Sequence, residues 1–348
     1  MELARPASAG ADQTSRRVRA AFASISRSER DAWYEGDVSL PRRSPAPAVR
    51  LVTLLALLAS PTLAGCSGPD QPHAELPPRY QIPIPVCTTP LPPVQRKAGG
   101  RAVVRSLDPE QWMGVVSPSF NPRGGLGPTD TDCTGHYMFA NESLRGGIST
   151  KGWPRPFDPD ELDIKAGPEG MRVIWLRVLK FENGDVGGPV ALVRAIDDRA
   201  EVYGVGSFRG PPKSKVSPVR VGNENLALAE STICPDLDDC RKRADFYLAR
   251  RGRLIDSAQV DLERVSVVPS LTERGLYAKY TLKTDVTYKN DGIQLLEQVQ
   301  VKIIHYDVGD RDSDRDLRKV EFSRFLHVER DTLFSSNDPL WERVVGQD

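Results

Sequence analysis

Side chains able to hold a metal ion or move a proton gather in two acidic stretches of the chain. The first reads Asp310-Arg311-Asp312-Ser313-Asp314-Arg315-Asp316-Leu317, with Glu321 a little further on. Its carboxylates alternate with other residues, and carboxylate oxygens are the donors that a hard divalent cation takes. The second reads Asp130-Thr131-Asp132-Cys133-Thr134-Gly135-His136 and sets carboxylates beside an imidazole, a pairing suited to a metal or a general base. Glu297 and His305 share the inward parity of one expected strand. Were the sheet closed around a cavity, they would orient a ligand; the plainer reading is that they pair with neighbours. Nucleophile chemistry finds little to build on, since the chain has neither a Gly-x-Ser-x-Gly elbow nor a Ser-x-x-Lys pair.

The first stretch resembles the calcium loop of the EF-hand, with oxygens at loop positions one, three and five (Asp310, Asp312, Asp314), Asp316 following, an apolar Leu317 and a closing Glu321. The resemblance implies a bound Ca²⁺. Arg315 stands where that loop has its glycine, Arg311, Arg315 and Arg318 neutralise much of the acidity, and the flanks alternate like strands. A solvated loop of mixed charge is the competing reading.

Near the other end, Leu51 to Leu63 is an uncharged apolar run preceded by Arg42, Arg43 and Arg50. A helix needs about 20 apolar residues to cross a bilayer, so this run has the length of a signal peptide's apolar region. It closes on Leu63-Ala64-Gly65-Cys66, which resembles the lipobox of bacterial lipoproteins. That resemblance implies cleavage before Cys66, diacylglycerol on its thiol and acylation, such as with palmitate, of the new amine. Anchoring would follow at roughly 0.8 kcal/mol per buried CH₂. Ser67, in place of an aspartate, implies passage to the outer membrane, facing the periplasm or the cell surface. Residues 1–50 are then a discarded leader or a misplaced start, and 51–65 the signal segment.

From Cys66 on, the chain carries 38 basic and 41 acidic residues, a balance that excludes nucleic acid as an expected partner. Residues 66–100 read as a Pro-rich tether, with nine prolines between Ser67 and Ala98. Four further cysteines in an oxidising compartment suggest two disulfides. Cys234 and Cys240 bracket a short turn-rich loop and are expected to pair, which leaves Cys87 for Cys133. No Cys-x-x-Cys or close histidine pair favours zinc.

Residues 101–348 read as a single domain, mainly β with little helix, an antiparallel meander forming a β-barrel or β-sandwich. Tyr280, Leu282 and Val286 alternate with Lys279, Lys283 and Asp285. Asn290-Asp291-Gly292 then turns into Ile293, Leu295, Val299 and Val301. This hairpin should place Val286 opposite Leu295, Leu282 opposite Val299, and Thr284 opposite Glu297. A second hairpin is expected around Asn183-Gly184, and Gly204-Val205-Gly206 should mark a bulge or a close backbone approach. Residues 121–170, dense in Gly, Pro and Asp, read as a long irregular excursion held by Cys133.

These features favour a membrane-anchored envelope lipoprotein whose β domain binds a protein partner or supports envelope assembly without catalysing a reaction. A β-barrel carrier of a small apolar ligand or lipid is the first alternative, and a metal-dependent hydrolase the second.

Overall fold

The structure, a computed structural model, describes residues 83–95, 100–235, 239–305 and 314–346. The leader, the apolar segment, Cys66 and the first part of the tether lie outside the described residues. The strands are β1 (Cys87–Pro90), β2 (Ile148–Ser149), β3 (Leu162–Ala166), β4 (Met171–Leu176), β5 (Leu179–Lys180), β6 (Val186–Ile196), β7 (Arg199–Gly210), β8 (Lys215–Val221), β9 (Glu224–Ile233), β10 (Asp239–Arg250), β11 (Gly252–Pro269), β12 (Tyr277–Tyr288), β13 (Gly292–Ile304), β14 (Arg315–Glu329) and β15 (Thr332–Phe334). Two short helices, α1 (Pro109–Val116) and α2 (Leu340–Val344), flank them. The domain is thus mainly β and mostly antiparallel, and of the two expected closures the barrel is not formed: the sheet stays open.

One path of hydrogen-bonded strands runs β15-β14-β13-β12-β11-β7-β6-β4-β3, while β8, β9 and β10 branch from β11. Among the described strands one pairing is parallel, that of Gly252 and Arg253 at the start of β11 with Gly204 and Val205 of β7. Glycines suit this approach: a Cβ on Gly206 would lie 2.9 Å from Leu254 Cβ and force a shift, and one on Gly204 would make a tight 3.2 Å contact with the Arg253 carbonyl. The expected close backbone approach at Gly204-Val205-Gly206 is this crossing.

Alternation then sorts side chains into layers. On β4, Met171, Val173 and Trp175 face one cluster while Ile174 and Leu176 face another. On β9, Ala227 and Ala229 pack towards Trp175 and Phe208, whereas Leu226 and Leu228 pack towards Ile293, Leu295 and Leu326. Strand β10 is divided in the same way, with Phe246 and Leu248 on the second side and Tyr247 and Ala249 on the first. The β8–β10 branch is therefore a middle layer between β4–β6–β7 and β13–β15, covered on both faces.

The outer faces are closed by the helices. Asp108 caps α1, accepting from the Gln111 amide at 2.8 Å while Gln111 Oε1 accepts from the Asp108 amide at 3.1 Å, and Pro109 opens the helix. Trp112, Met113, Val115 and Val116 are buried against β6 and β7 with side chains from the 121–170 excursion. At the other end, Leu340, Trp341 and Val344 of α2 cover Tyr280, Val299 and Val301.

The expected hairpin register is observed pair by pair: Val286 with Leu295, Thr284 with Glu297, Leu282 with Val299 and Tyr280 with Val301. Both expected disulfide pairs are within bonding distance. Cys87–Cys133 spans 46 residues with its Cα atoms 6.2 Å apart, and Cys234–Cys240 spans 6 with its Cα atoms 4.1 Å apart. The first ties β1, paired with β7 from Cys87↔Val202 to Pro90↔Arg199, to the residue whose amide donates to Val116 at the end of α1. The difference in loop length makes this bond worth roughly 2 kcal/mol more than the second by the chain-entropy relation. Urea unfolding of the Cys87→Ala/Cys133→Ala and Cys234→Ala/Cys240→Ala variants should show the larger loss for the first.

Candidate functional site

A cleft opens where β1, β7 and the β10–β11 turn meet. It has a volume of about 680 Å³, with Pro83, Ile84, Val86, Tyr203, Ala249 and Gly252 among its walls. A second lobe of about 220 Å³ shares Pro83, Tyr203 and Asn225 and adds Arg194, Arg220 and Glu169. The turn is tight: Arg250 pairs with Arg253, and Arg251 and Gly252 both have positive φ, at 48° and 80°. A two-residue turn of this kind favours glycine, and the missing side chain at Gly252 also lets Val86 come close.

Tyr203 stands between the lobes because the β6–β7 register slips there, pairing Leu192 with Gly204 but Val193 with Val202. Such a bulge re-aims the side chain of the extra residue. The Tyr203 hydroxyl donates to Glu201 Oε2 at 2.7 Å. Arg194, the cross-strand partner of Glu201, donates to the same oxygen from Nε at 3.0 Å and from its terminal nitrogen at 2.7 Å, and Arg199 donates to Oε1 at 2.7 Å. Glu201 is buried. Burial alone would raise its carboxyl, but the Tyr203 hydroxyl and the Arg194 and Arg199 guanidiniums outweigh it and hold the group below its ordinary value. Burial and the neighbouring Glu201 push the Tyr203 phenol upwards. At neutral pH the pair is a carboxylate and a neutral phenol, so neither is poised to transfer a proton. Two rim arginines are paired as well, Arg220 with Glu169 and Arg250 with Glu224 at 2.8 Å, while Arg251 is exposed. The arrangement suits binding of a partly apolar segment: an apolar wall below a rim whose charges are mostly satisfied.

The Asp130–His136 loop lines neither lobe but packs beside Gly252, where a Cβ would lie 3.3 Å from the Thr134 methyl group. Asp132 is buried, and its Oδ1 accepts from the Thr134 amide at 2.8 Å, the Thr134 hydroxyl at 2.6 Å and the His136 amide at 3.2 Å. Its Oδ2 accepts from Arg253 at 2.8 Å, which fastens the loop to the start of β11. His136 Nδ1 lies 2.8 Å from the Thr134 hydroxyl. Asp130 turns away to accept from the Gly127 amide at 2.8 Å.

Of the acid run, Asp310 and Asp312 lie outside the described residues. Asp314 Oδ1 accepts from the His305 amide at 3.4 Å, just past the end of β13. Asp316 and Glu321 sit on β14, where extended backbone separates them by about 16 Å. Asp316 accepts from Gln300 at 3.0 Å, and Glu321 pairs with Lys319 at 2.7 Å. Among the described residues no group of three or more His, Cys, Asp or Glu has the geometry to hold a metal ion.

The structure separates Glu297 from His305. Glu297 is buried, its Oε1 accepting from Arg324 Nε at 3.1 Å and a terminal nitrogen at 2.7 Å, and its Oε2 from the Leu340 amide at 2.8 Å. It anchors α2 to the sheet. The residues of the cleft were not singled out by the sequence patterns; the available signal was a polar parity at Arg199, Glu201 and Tyr203 against Ala200 and Val202. Comparison with family models, curated proteins and solved structures gives no match.

Two outcomes are expected. The stability that Glu201 contributes should be complete above the ordinary carboxyl value of about 4.3 and lost as pH falls through its lowered folded value. Urea unfolding at a series of acidic pH values should therefore give a flatter acid limb for Glu201→Gln. Glu297→Ala should cost about 3–5 kcal/mol, because Arg324 is left buried and unpaired, and Glu297→Leu/Arg324→Met should cost less than that single change.

Proposed function

We propose that the chain is a lipid-anchored envelope protein whose β domain binds a protein partner through the cleft beside its tether, without catalysing a reaction. The anchor rests on the lipobox-like Leu63-Ala64-Gly65-Cys66 at the end of the apolar run. The binding role rests on one observation: Pro83, Ile84 and Val86, which belong to the tether segment, are themselves a wall of the cleft. A partner seated there is held at the membrane-proximal side of the domain, in the envelope. The occupant this cleft suits is an extended segment with apolar side chains, since the wall is apolar and the rim arginines Arg220 and Arg250 are already paired.

A carrier that encloses a lipid in a barrel is less favoured, because the sheet is open and alternating side chains fill the space between its layers.

Replacing Cys66 with serine tests the anchor: the protein should leave the membrane fraction and migrate at precursor size. Unchanged retention and size would end this part of the proposal. A photo-crosslinking residue at Ile84, which is 82% exposed, tests the cleft. It should yield one discrete adduct in intact cells, absent when Val86→Glu is added and absent when the same crosslinker replaces the exposed Leu271. Equal adducts at both positions would remove the cleft from the proposal.

A further inference from the structure

A like-charged pair faces a small pocket beneath α2. Arg241 of β10 is the cross-strand partner of Arg264 of β11, and charges of one sign directly opposite each other repel. Arg243 lies on the same face as Arg241. A register slip after Lys242 sets Arg243 opposite Asp261. With Arg324 of β14, these arginines line a pocket of about 210 Å³ walled on one side by Trp341.

Three carboxylates, Asp261, Glu297 and Glu342, line it too, and most of the charge is already matched. Arg324 is committed to Glu297. Arg243 lies 2.8 Å from the buried Asp245. Arg264 approaches Asp261 at 3.3 Å and stacks on Trp341, its carbon 4.6 Å from the ring centroid, yet its Nε is buried with no hydrogen-bond acceptor. Arg241 has no hydrogen bond or salt bridge with a described residue, although it lies within the field of Asp245. Glu342, on α2, is exposed. A guanidinium that no described residue hydrogen-bonds and an unsatisfied donor thus meet at one cavity, in the place where two arginines already repel each other.

We propose that this pocket binds a phosphate-bearing anion held by Arg241, Arg243 and Arg264. Guanidinium forks match a tetrahedral oxyanion, and several can grip one phosphate from different sides. A water occupies about 30 Å³ of liquid, so the cavity has room for one such group and a few waters. The anion would satisfy Arg264 and screen it from Arg241, which makes occupancy stabilising. Free phosphate and a phospholipid headgroup present the same chemistry. The site is independent of the cleft and does not require the lipid anchor.

The test uses the full chain in neutral detergent micelles. Thermal unfolding and calorimetric titration are run with inorganic phosphate against chloride at equal ionic strength, and in a second arm with phosphatidylglycerol mixed into the micelles. Wild type should unfold at a higher temperature with one of these additions: inorganic phosphate identifies the free anion as the source, phosphatidylglycerol alone the headgroup. Arg241→Gln removes the guanidinium that no described carboxylate holds, so its fold should be kept, and it should bind about tenfold more weakly or worse. Arg123→Gln, at an exposed position away from the pocket, should bind as wild type does. No stabilisation by either addition, or equal affinity in Arg241→Gln and wild type, overturns the proposal.

Discussion

The whole domain depends on strands that have no wet face. In the middle of β9, Ala227 and Ala229 fit against Trp175 and Phe208, and Leu226 and Leu228 reach Ile293 and Leu295. Small residues on one side let the β4–β6–β7 layer carry its bulky aromatics, while large residues on the other fill the space towards β13–β15. Interiors are packed as densely as organic crystals, so the two sizes are not exchangeable between faces. Strand β11 begins with two residues against β7, stays paired with β10 as far as Ser266, and takes β12 on its other edge from Glu263 onwards, which carries the sheet into the outer layer. The cleft lies at that first contact with β7.

Polar groups within this frame are kept where they connect layers. Glu297 joins β13 to β14 through Arg324 and to α2 through the Leu340 amide. Asp132 joins the irregular excursion to β11 through Arg253. Glu201 gathers Arg194, Arg199 and Tyr203 on two neighbouring strands. Each carboxylate collects three or more donors, the condition under which a buried charge is tolerated. Their role as connectors explains why acids that look chemically available in the sequence are occupied in the fold.

The sequence made some of this legible. The β12–β13 hairpin has one wet face, so its parity is clean and its register follows from a single turn. Strands such as β6 and β9, buried on both sides, show no polar alternation, and nothing local says which neighbour covers which face. Helix α1 carried a readable signal in Asp108-Pro109-Glu110-Gln111, a cap with its reciprocal glutamine, but eight residues are too few to give a sustained apolar period. The cleft was hidden for a different reason: Arg194 and Tyr203 meet only through a bulge, and Val86 and Gly252 only through a crossing of strands far apart in the chain. Glu297 was visible as an acid on an inward parity, yet its partners Arg324 and the Leu340 amide come from segments whose pairing that parity cannot specify.

The bond between Cys87 and Cys133 has a mechanical meaning for a domain pulled from its N-terminal side. Strand β1 is only four residues long and would peel from β7 under modest load. Tension arriving at Cys87 instead passes covalently to Cys133, and through its amide to the end of α1 and the densely packed side chains beneath. Ile84 and Val86, on the loaded side of the cysteine, carry that tension themselves, while β1 and the layers behind it stay at rest.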